Sequence, residues 1–348
     1  IVKDLPVKSD SVLIARAPVL LGLGGFGTDN PSFYEKYGGF IIGSAINYYA
    51  YTILSPSQTN GTQIISANDD RVFSGDGKTE NGALSLPKAI VYYFNISDDL
   101  TIFLTSQVPE GSGLGLSGSI AVSMIKAVAF WCGLDLDPLD VAELACYIQI
   151  DKMGIVGGKQ SQYIAATGGL HAIEFSRKGT HIEPLNLTPK IYMALQRGLM
   201  LFLPPTSHQT FTSRLREALA VQQDGGDIFP HLERMKNYAF DLRVALERGD
   251  LTWFSALLHQ TWLEKRELYT GCKVPFWDQC YQIASECGAT GGMVTGSGEP
   301  GALLLFCPEH RQSDVTHALQ MRGLKPVSYT HLRAHETVLD LVCRLLLE

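Results

Sequence analysis

Alternating apolar and polar residues predict several β-strands in the first half of the chain. Two stretches with helical spacing predict two helices there. The helix predicted over residues 120–132 (IAVSMIKAVAFWC) has the length and apolar spacing of a buried segment. A second helix is predicted over residues 138–153, where Asp137 supplies an N-cap and Pro138 the first helical position. Strands, the last of them interrupted by a Gly-Gly pair, are predicted over residues 12–21, 39–54, 62–73, 100–108 and 163–175.

The second half of the chain has mainly helical patterns. Two short apolar runs, one before and one after the helical region, predict strands over residues 198–203 and 302–307. Between them, helices are predicted over residues 211–222, 229–247, 253–268 and 277–287. Neither internal repeats nor a low-complexity linker is visible in the sequence.

The length and composition predict two domains. A chain of 348 residues with 45% hydrophobic residues can bury more than one core. We predict an α+β protein with an N-terminal domain over residues 1–190 and a C-terminal domain over residues 191–326. Residues 327–348 turn basic and then leucine-rich, unlike the domain before them. We interpret this tail as a segment that is not native to the gene, the alternative being a peripheral helix.

Charge and cysteine usage restrict the partners. The net charge of −7 argues against nucleic acid or an acidic membrane surface as the main partner. The seven cysteines form no Cys-x-x-Cys pair and no metal-binding spacing, which favours reduced thiols and a cytoplasmic location. No apolar run reaches the roughly 18 residues of a membrane span. A small-molecule substrate is the expected partner, and a homodimer is compatible with the sequence.

Residues 109–119, Pro-Glu-Gly-Ser-Gly-Leu-Gly-Leu-Ser-Gly-Ser, contain the most informative pattern of the chain. A glycine-rich turn followed by a helix leaves backbone N–H groups unpaired at the positive end of the helix dipole. This arrangement binds phosphate. It is neither a Walker A loop nor a dinucleotide fingerprint, because no Gly-Lys-Ser/Thr closes it and it does not fit a first strand-turn-helix unit with an acidic residue about 20 positions on. A purely structural glycine-serine turn is the alternative.

The order Pro-x-Gly-Ser-Gly-Leu-Gly-x-Ser resembles the ATP-phosphate loop of the GHMP kinase superfamily. Three further stretches are similar to its sugar-phosphate branch, which includes heptose phosphate kinases. They are Arg-Ala-Pro to Thr-Asp with Tyr-Gly-Gly over residues 16–39, His-x-x-Trp-x-x-Lys over residues 259–265, and the glycine-rich turn of residues 291–301. The resemblance implies an N-terminal domain like ribosomal protein S5, a ferredoxin-like C-terminal domain, and a third glycine turn that packs against the ATP loop.

The resemblance implies an ATP-dependent kinase for a sugar or sugar phosphate, with Mg²⁺ as a cofactor. The implied catalytic positions are Ser161 and Lys159, and Ser117 and Gln149 stand at the positions that face the metal. The ATP-binding set is Pro109, Gly111, Ser112, Gly113, Leu114, Gly115, Leu116, Ser117, Gly118 and Ser119. The substrate-binding set is Arg16, Gly25, Gly27, Thr28, Asp29, Gly157, Gly158 and Gln160.

Two positions depart from the family pattern. Gln149 stands where a magnesium-binding glutamate is expected, and Ser161 stands where the branch has a catalytic aspartate. An amide is a poor ligand for a hard dication, and a serine hydroxyl cannot accept a proton at neutral pH. Asp151 is a candidate replacement. The chain is therefore either a kinase with a different arrangement of groups or a degenerate homologue that binds a nucleotide or sugar phosphate.

The third motif and its neighbouring helix have less specific signals. Glu299-Pro300 stand where glycines are usual, and proline lacks a backbone donor. On the helix of residues 253–268 we expect Trp262 in the core and a solvated face with Lys265 and Arg266. The alternative is that one of these two cations binds a substrate phosphate.

Overall fold

The computed structural model describes residues 12–57, 60–67, 71–74, 86–96, 99–205, 228–268, 275–296 and 301–329. The predicted helix of residues 211–222 lies outside the described residues. So do Glu299-Pro300 and residues 330–348 of the tail.

The N-terminal domain has one large sheet with helices on one of its faces. Its strands are β1 (Leu13–Gly24), β2 (Gly39–Pro56), β3 (Gln63–Ser66), β4 (Arg71–Ser74), β5 (Leu100–Ser106), β6 (Leu170–Ser176) and β7 (Gly179–Pro184). Its helices are α1 (Pro31–Tyr37), α2 (Leu86–Tyr93), α3 (Leu116–Trp131), α4 (Pro138–Cys146) and α5 (Gln160–Thr167). A π-helical turn, Tyr147–Lys152, follows α4 directly.

Strand β2 is the centre of this sheet. Antiparallel β1 lies along one edge of β2, and β6 and β5 pair with successive parts of the other edge. Strand β3 continues the sheet in parallel to β5. Buried side chains of α3, α4 and α5 form a core with one face of the sheet, including Val122, Ala142, Ile164, Ile41 and Ile102. Strand β1 thus pairs with β2 along most of its length and ends one residue before Gly25 of the predicted substrate-binding set.

The C-terminal domain has a four-stranded antiparallel sheet. Its elements are α6 (Pro189–Gly198), β8 (Leu199–Leu203), α7 (Ile228–Arg248), α8 (Leu251–Leu268), α9 (Pro275–Glu286), β9 (Gly291–Val294), β10 (Leu303–Phe306), α10 (Gln312–Gln320) and β11 (Lys325–Val327). The strand order is β11-β8-β10-β9, which is 4-1-3-2 in chain order. This order confirms the ferredoxin-like sheet implied by the sequence.

The two domains share a hydrophobic core. Leu232 and Leu242 of α7 belong to the same buried cluster as Leu21 of β1, Phe40 of β2 and Leu304 of β10. The rings of Phe40 and Phe240 stack with centroids 4.0 Å apart. Helix α7 therefore fixes the C-terminal sheet against the face of the N-terminal sheet that α3 does not cover.

Three local expectations were wrong. Residues 163–167 are the end of helix α5 and not the start of a strand, because the chain turns at Gly168-Gly169 before β6 begins. The single strand expected over residues 62–73 is two short paired strands, β3 and β4. The helix expected over residues 138–153 is α-helical only to Cys146 and then widens into the π turn. Within the described residues, no helix is long and apolar enough to cross a membrane.

Candidate active site

The glycine-rich loop meets helix α3 in the geometry that the sequence predicts. Gly111, Gly113 and Gly115 all have positive φ, at 71°, 69° and 70°. Gly115 is the N-cap of α3 and gives no side-chain cap, so the N–H groups of the first helical turn have no partner within the helix. Such a turn presents donors and the positive end of the helix dipole to an anion.

The third glycine-rich turn, residues 294–296, supports this loop from the C-terminal domain. Thr295 Oγ1 donates to the carbonyl of Ser112 at 3.3 Å, and the N–H of Gly301 donates to Gly111 at 3.0 Å. A Cβ on Gly113 would lie 2.8 Å from the Thr295 carbonyl oxygen. A Cβ on Gly296 would lie 2.5 Å from the Cα of Gly113. The expected contact between the two glycine turns is confirmed.

Other loop residues anchor the turn to strand β1. The N–H of Leu20 donates to the Leu114 carbonyl at 3.0 Å, and the buried Ser119 hydroxyl donates to the Pro18 carbonyl at 2.8 Å. Pro109 accepts the Ser112 N–H at 3.3 Å, and Leu116 is buried. The structure thus places Ser119 below the loop as an anchor, whereas Ser117 is exposed at the helix start.

A buried hydroxyl in the loop fits a nucleotide phosphate. Ser112 is 2% exposed, and its Oγ has no hydrogen-bond partner among the described residues. An unsatisfied buried hydroxyl costs about 1–3 kcal/mol, a cost that a bound phosphate oxygen removes. Together with the exposed N–H groups, this hydroxyl indicates that the loop fits the phosphates of ATP.

Thr28 orders the turn that follows β1. Its buried hydroxyl donates to Gly25 at 2.6 Å and accepts the N–H of Phe40 at 3.2 Å. Gly25 and Gly27 both have positive φ, and a Cβ on Gly25 would meet the Phe40 carbonyl at 1.9 Å. In its described contacts the Thr28 hydroxyl is hydrogen-bonded with backbone groups alone, so Thr28 shapes the turn. Asp29 is the residue of this turn that has an ionisable side chain.

Asp29 lies against the N-terminus of α5. Its Oδ2 accepts the N–H of Gln160 at 2.9 Å, although 131 residues separate the two in sequence. A Cβ on Gly158 would lie 2.0 Å from the same oxygen, so any larger residue there would have to displace the carboxylate. Burial raises the pKa of Asp29, and backbone N–H groups led by that of Gln160 oppose this shift. The structure therefore joins Asp29, Gly158 and Gln160 as the sequence predicts, while Gly157 lies in open space nearby.

Gln160 offers a second unsatisfied group. Its Oε1 is buried and has no hydrogen-bond partner among the described residues. This oxygen lies 3.3 Å from the position of a Cβ on Gly22, near the ring of Phe26. A substrate hydroxyl is a suitable donor for it.

Ser161 lies directly against the glycine loop. A Cβ on Gly118 would be 2.5 Å from Ser161 Oγ, and one on Gly115 would be 3.1 Å from Ser161 Cβ. Ser161 Oγ donates to Gln162 Oε1 at 2.9 Å, and Gln162 Nε2 donates to Gln149 Oε1 at 2.8 Å. Gln149 Nε2 then donates to Ser117 Oγ at 2.9 Å. We name these four side chains the amide chain.

The donor set does not form a magnesium site of its own. Gln149 faces Ser117 with its amide nitrogen, which cannot bind a cation. Across the part of the chain that the structure describes, no group of three His, Cys, Asp or Glu could hold a metal ion. Asp151, the candidate replacement, is exposed on the π turn, whereas Gln149 is buried. Magnesium prefers carboxylate oxygens, so these residues do not fit a resident ion.

Lys159 is half-buried beside α1 and α4. Its Nζ is 3.9 Å from a Glu143 carboxylate oxygen and 5.6 Å from the centroid of the Tyr34 ring. Glu143 also accepts a hydrogen bond from the Tyr163 hydroxyl. The Lys159 ammonium thus lies toward Glu143 of α4, whereas the next residue, Gln160, contacts Asp29.

Arg16 lies apart from Asp29. Its guanidinium is 4.5 Å from the centroid of the Tyr49 ring, and the backbone of Tyr49 bonds with Gln107, just before the glycine loop. Eight residues of β1 separate Arg16 from Gly24, on the order of 25 Å along a strand. The structure therefore places Arg16 on the loop side of β1 and does not bring it to the other predicted substrate residues.

Lys265 is the functional candidate that sequence reasoning misplaced. The face of α8 with Lys265 is not solvated: this lysine is 1% exposed, and Nζ donates to the carbonyls of Val294 at 2.6 Å and Gly296 at 2.9 Å. Nζ also lies 4.0 Å from the centroid of the Phe26 ring. Burial lowers the pKa of Lys265 to about 7. Trp262 is buried as expected, and Arg266 pairs with Asp278 at 3.0 Å.

Comparison with known proteins supports this geometry. The GHMP kinases N terminal domain family matches residues 85–169, and the GHMP kinases C terminal family matches residues 242–323. A D-glycero-alpha-D-manno-heptose 7-phosphate kinase of Campylobacter jejuni is 29% identical over 323 residues, covering 88% of this chain and 92% of the relative.

Solved structures show the same fold at lower identity. A D-glycero-D-manno-heptose 1-phosphate kinase from Bacteroides thetaiotaomicron superposes with a TM-score of 0.74 at 24% identity, covering 92% of this chain and 96% of that one. The galactokinase of Lactococcus lactis superposes with a TM-score of 0.73 at 15% identity, covering 92% and 93% of the two chains. With its glycine-rich loop, the third glycine turn that contacts this loop and both family matches, the chain has the N- and C-terminal domains of the GHMP kinases.

Proposed function

We propose that the protein transfers the γ-phosphoryl group of ATP to a hydroxyl of a sugar or sugar phosphate. The observation that carries this proposal is the position of α5. Its first turn presents Ser161 to the glycine loop at Gly115 and Gly118, and Gln160 to Asp29 of the substrate turn. A phosphate on the loop and a hydroxyl near Asp29 would therefore meet at one helix N-terminus.

Positioning and charge stabilisation account for most of the catalysis of phosphoryl transfer. The loop N–H groups and the Ser112 hydroxyl would hold the phosphates, and Asp29 and Gln160 would orient the sugar. The acceptor oxygen forms its bond to the γ-phosphorus while the bond from that phosphorus to ADP breaks. The hydroxyl proton passes to an oxygen of the transferred group, so Ser161 need not take it.

Magnesium, which the family resemblance implies, would enter with the ATP phosphates. This follows from the absence of a carboxylate at the amide chain, since Mg²⁺ commonly keeps several waters and binds through substrate phosphates. The proposed transfer does not depend on a protein ligand for the ion.

The Campylobacter relative favours a heptose phosphate as the acceptor, because its similarity extends over most of both chains. It also favours a kinase over a homologue that only binds nucleotide or sugar phosphate. Within this proposal, the orphaned Gln160 oxygen and the buried Asp29 carboxylate are the groups that recognise hydroxyls.

An ADP-release assay tests the proposal. The purified chain is given ATP and Mg²⁺ with heptose 7-phosphate, heptose 1-phosphate, fucose, galactose or mevalonate, and nucleotide binding is measured in parallel. We expect release with a heptose phosphate and none with mevalonate, which is not a sugar. Nucleotide binding without ADP release on any sugar would overturn the kinase and support a binding protein.

A further inference from the structure

The amide chain has a direction, because each member donates to the next. The direction runs from Ser161 through Gln162 and Gln149 to Ser117. A primary amide has one donor end and one acceptor end. If one glutamine turned over, the other would have to turn with it, and both serines would exchange their roles. The four groups therefore act as one unit with two self-consistent directions.

The observed direction leaves each serine with one useful role. Ser117 accepts from Gln149, so its own proton is available to an acceptor at the start of α3, where the loop binds phosphate. Ser161 has used its proton on Gln162, so its oxygen is left with lone pairs facing the loop. The reverse direction would turn the Ser117 proton inward and the Ser161 proton outward.

Phosphoryl transfer needs the observed direction at both ends. A nucleotide phosphate oxygen accepts hydrogen bonds, so it requires a donor at Ser117. The acceptor hydroxyl attacks with a lone pair while its proton points away from the phosphorus, and the proton passes to the transferred group only after the new bond has formed. Ser161 can accept that hydrogen bond without removing the proton. Its contribution would be orientation, which phosphoryl transfer rewards.

We propose that Gln162 is a positioning residue of the phosphoryl transfer, because it fixes the direction in which Ser117 donates to nucleotide and Ser161 accepts from the sugar hydroxyl. The proposal rests on the proposed function. It also gives the two missing carboxylates one explanation: Gln149 and Ser161 belong to the same neutral network, and Gln162 joins them.

The variant Gln162→Glu tests the direction with little change of shape. At pH 8 the new carboxylate only accepts, so Gln149 must turn its nitrogen toward it and its oxygen toward Ser117. Ser117 then donates inward and is lost to the phosphate, while Ser161 still donates to residue 162. We expect the Kd for ATP, measured by calorimetry, to rise about tenfold, since one hydrogen bond to a charged group is worth about 1.5–3 kcal/mol.

The two ends can be tested separately. Ser161→Ala removes the sugar-side oxygen and its bond to Gln162 but leaves Gln162 able to donate to Gln149, so it should lower kcat about tenfold and leave the ATP Kd unchanged. In a Ser117→Ala background, Gln162→Glu should cause no further loss of ATP affinity, because the group it redirects is already gone. Ser123→Ala is the matched control: it removes a buried hydroxyl bond to Thr52 from the same helix α3 and should change neither quantity.

Two results would overturn the inference. One is an ATP Kd for Gln162→Glu within twofold of the wild type, and the other is a loss that persists in the Ser117→Ala background. Should Gln162→Glu not fold, Gln149→Glu is the second variant: its carboxylate only accepts, so it draws the Ser117 proton inward and must weaken ATP binding, measured without Mg²⁺, similarly. If the wild type releases no ADP with any sugar, the proposed function fails, while the Kd values still decide whether the chain directs Ser117.

Discussion

At the scale of single residues, the contact between Gly158 and Asp29 leaves no space for a methyl group. Gly158→Ala would place a Cβ 2.0 Å from the carboxylate, so Asp29 must move. We expect the KM for the sugar acceptor to rise about tenfold or more, because the carboxylate loses its place beside Gln160. Steady-state kinetics with ATP held at saturation measures this change.

Gly157→Ala is the matched control for that variant. A Cβ on Gly157 meets nothing within 4 Å, and neither glycine has a positive φ, so backbone strain is not a factor at either site. We expect wild-type KM values for Gly157→Ala. Equal effects of the two substitutions would show that loop flexibility, and not the position of Asp29, sets the affinity for sugar.

The residue types of the site could be predicted from the sequence, but their partners could not. The motif identified Ser117, Gln149 and Ser161 as positions facing ATP and substrate. Gln162 was not singled out, because its role depends on a bond to a side chain on another element. Lys265 was predicted to be solvated, since a Lys-Arg pair at a helix end usually is, and only the packing of Phe26 and Val294 around it shows otherwise.

At the scale of elements, we propose that the glycine loop and α3 act together as one anion-binding unit. Gly113→Val should abolish detectable ATP binding, because a side chain there would clash with the Thr295 carbonyl and require a left-handed backbone. Gly115→Val should do the same through a clash with the Leu20 side chain, 2.6 Å from the added Cβ. Equilibrium dialysis with labelled ATP gives the affinity.

Gly133→Val separates backbone strain from the site. Gly133 also has a positive φ, 75°, but a Cβ there meets nothing within 4 Å. Its expected cost is about 1–2 kcal/mol of stability, with ATP affinity unchanged. Unchanged ATP binding by both loop variants, at a similar loss of stability, would contradict the phosphate-binding role of the loop.

Most elements followed from apolar periodicity, and the exceptions have identifiable causes. The long strands β1 and β2 and helices α7, α8 and α9 agree with the predicted positions to within a few residues. The second half of helix α5 was predicted as the start of a strand because its buried residues, Tyr163 to Ala166, form a continuous apolar run that suits either structure. The π turn has no sequence signature of its own, yet it contains Gln149 as a buried residue.

At the scale of the whole molecule, Lys265 joins the two domains. From α8 it donates hydrogen bonds to Val294 and Gly296 of the third glycine turn, and its ammonium contacts Phe26 in the turn that follows β1. The described contacts include no carboxylate beside it. Two carbonyls and one ring contact the ammonium, and they offset only part of the cost of burying its charge.

Titration of Lys265 should couple stability to pH. Because burial lowers its pKa to about 7 from 10.5, the unfolded chain binds more protons than the folded one between these values. The free energy of unfolding should therefore rise with pH above 7, by up to about 1.4 kcal/mol per pH unit for this one group. Lys265→Met should lose that increase, as measured by urea unfolding at pH 7, 8 and 9.

The comparison with Lys265→Met removes the contribution of other groups that titrate in this range, such as the buried tyrosines and cysteines. Arg266→Met, on the same helix but exposed, should retain the wild-type slope. Parallel curves for the wild type and Lys265→Met would mean that the buried amine keeps its proton throughout.

The close approach of Gly113 and Gly296 has a consequence for how such genes can recombine. The glycine loop is supported by the third glycine turn from the other half of the chain. The contact between Gly113 and Gly296 leaves no space for a methyl group on either glycine. N- and C-terminal halves exchanged between relatives therefore have to fit each other at this contact before the hybrid can bind a nucleotide. A C-terminal half that is swapped in to change the sugar preference must therefore bring a third glycine turn that fits this loop. We expect the two halves to diverge together.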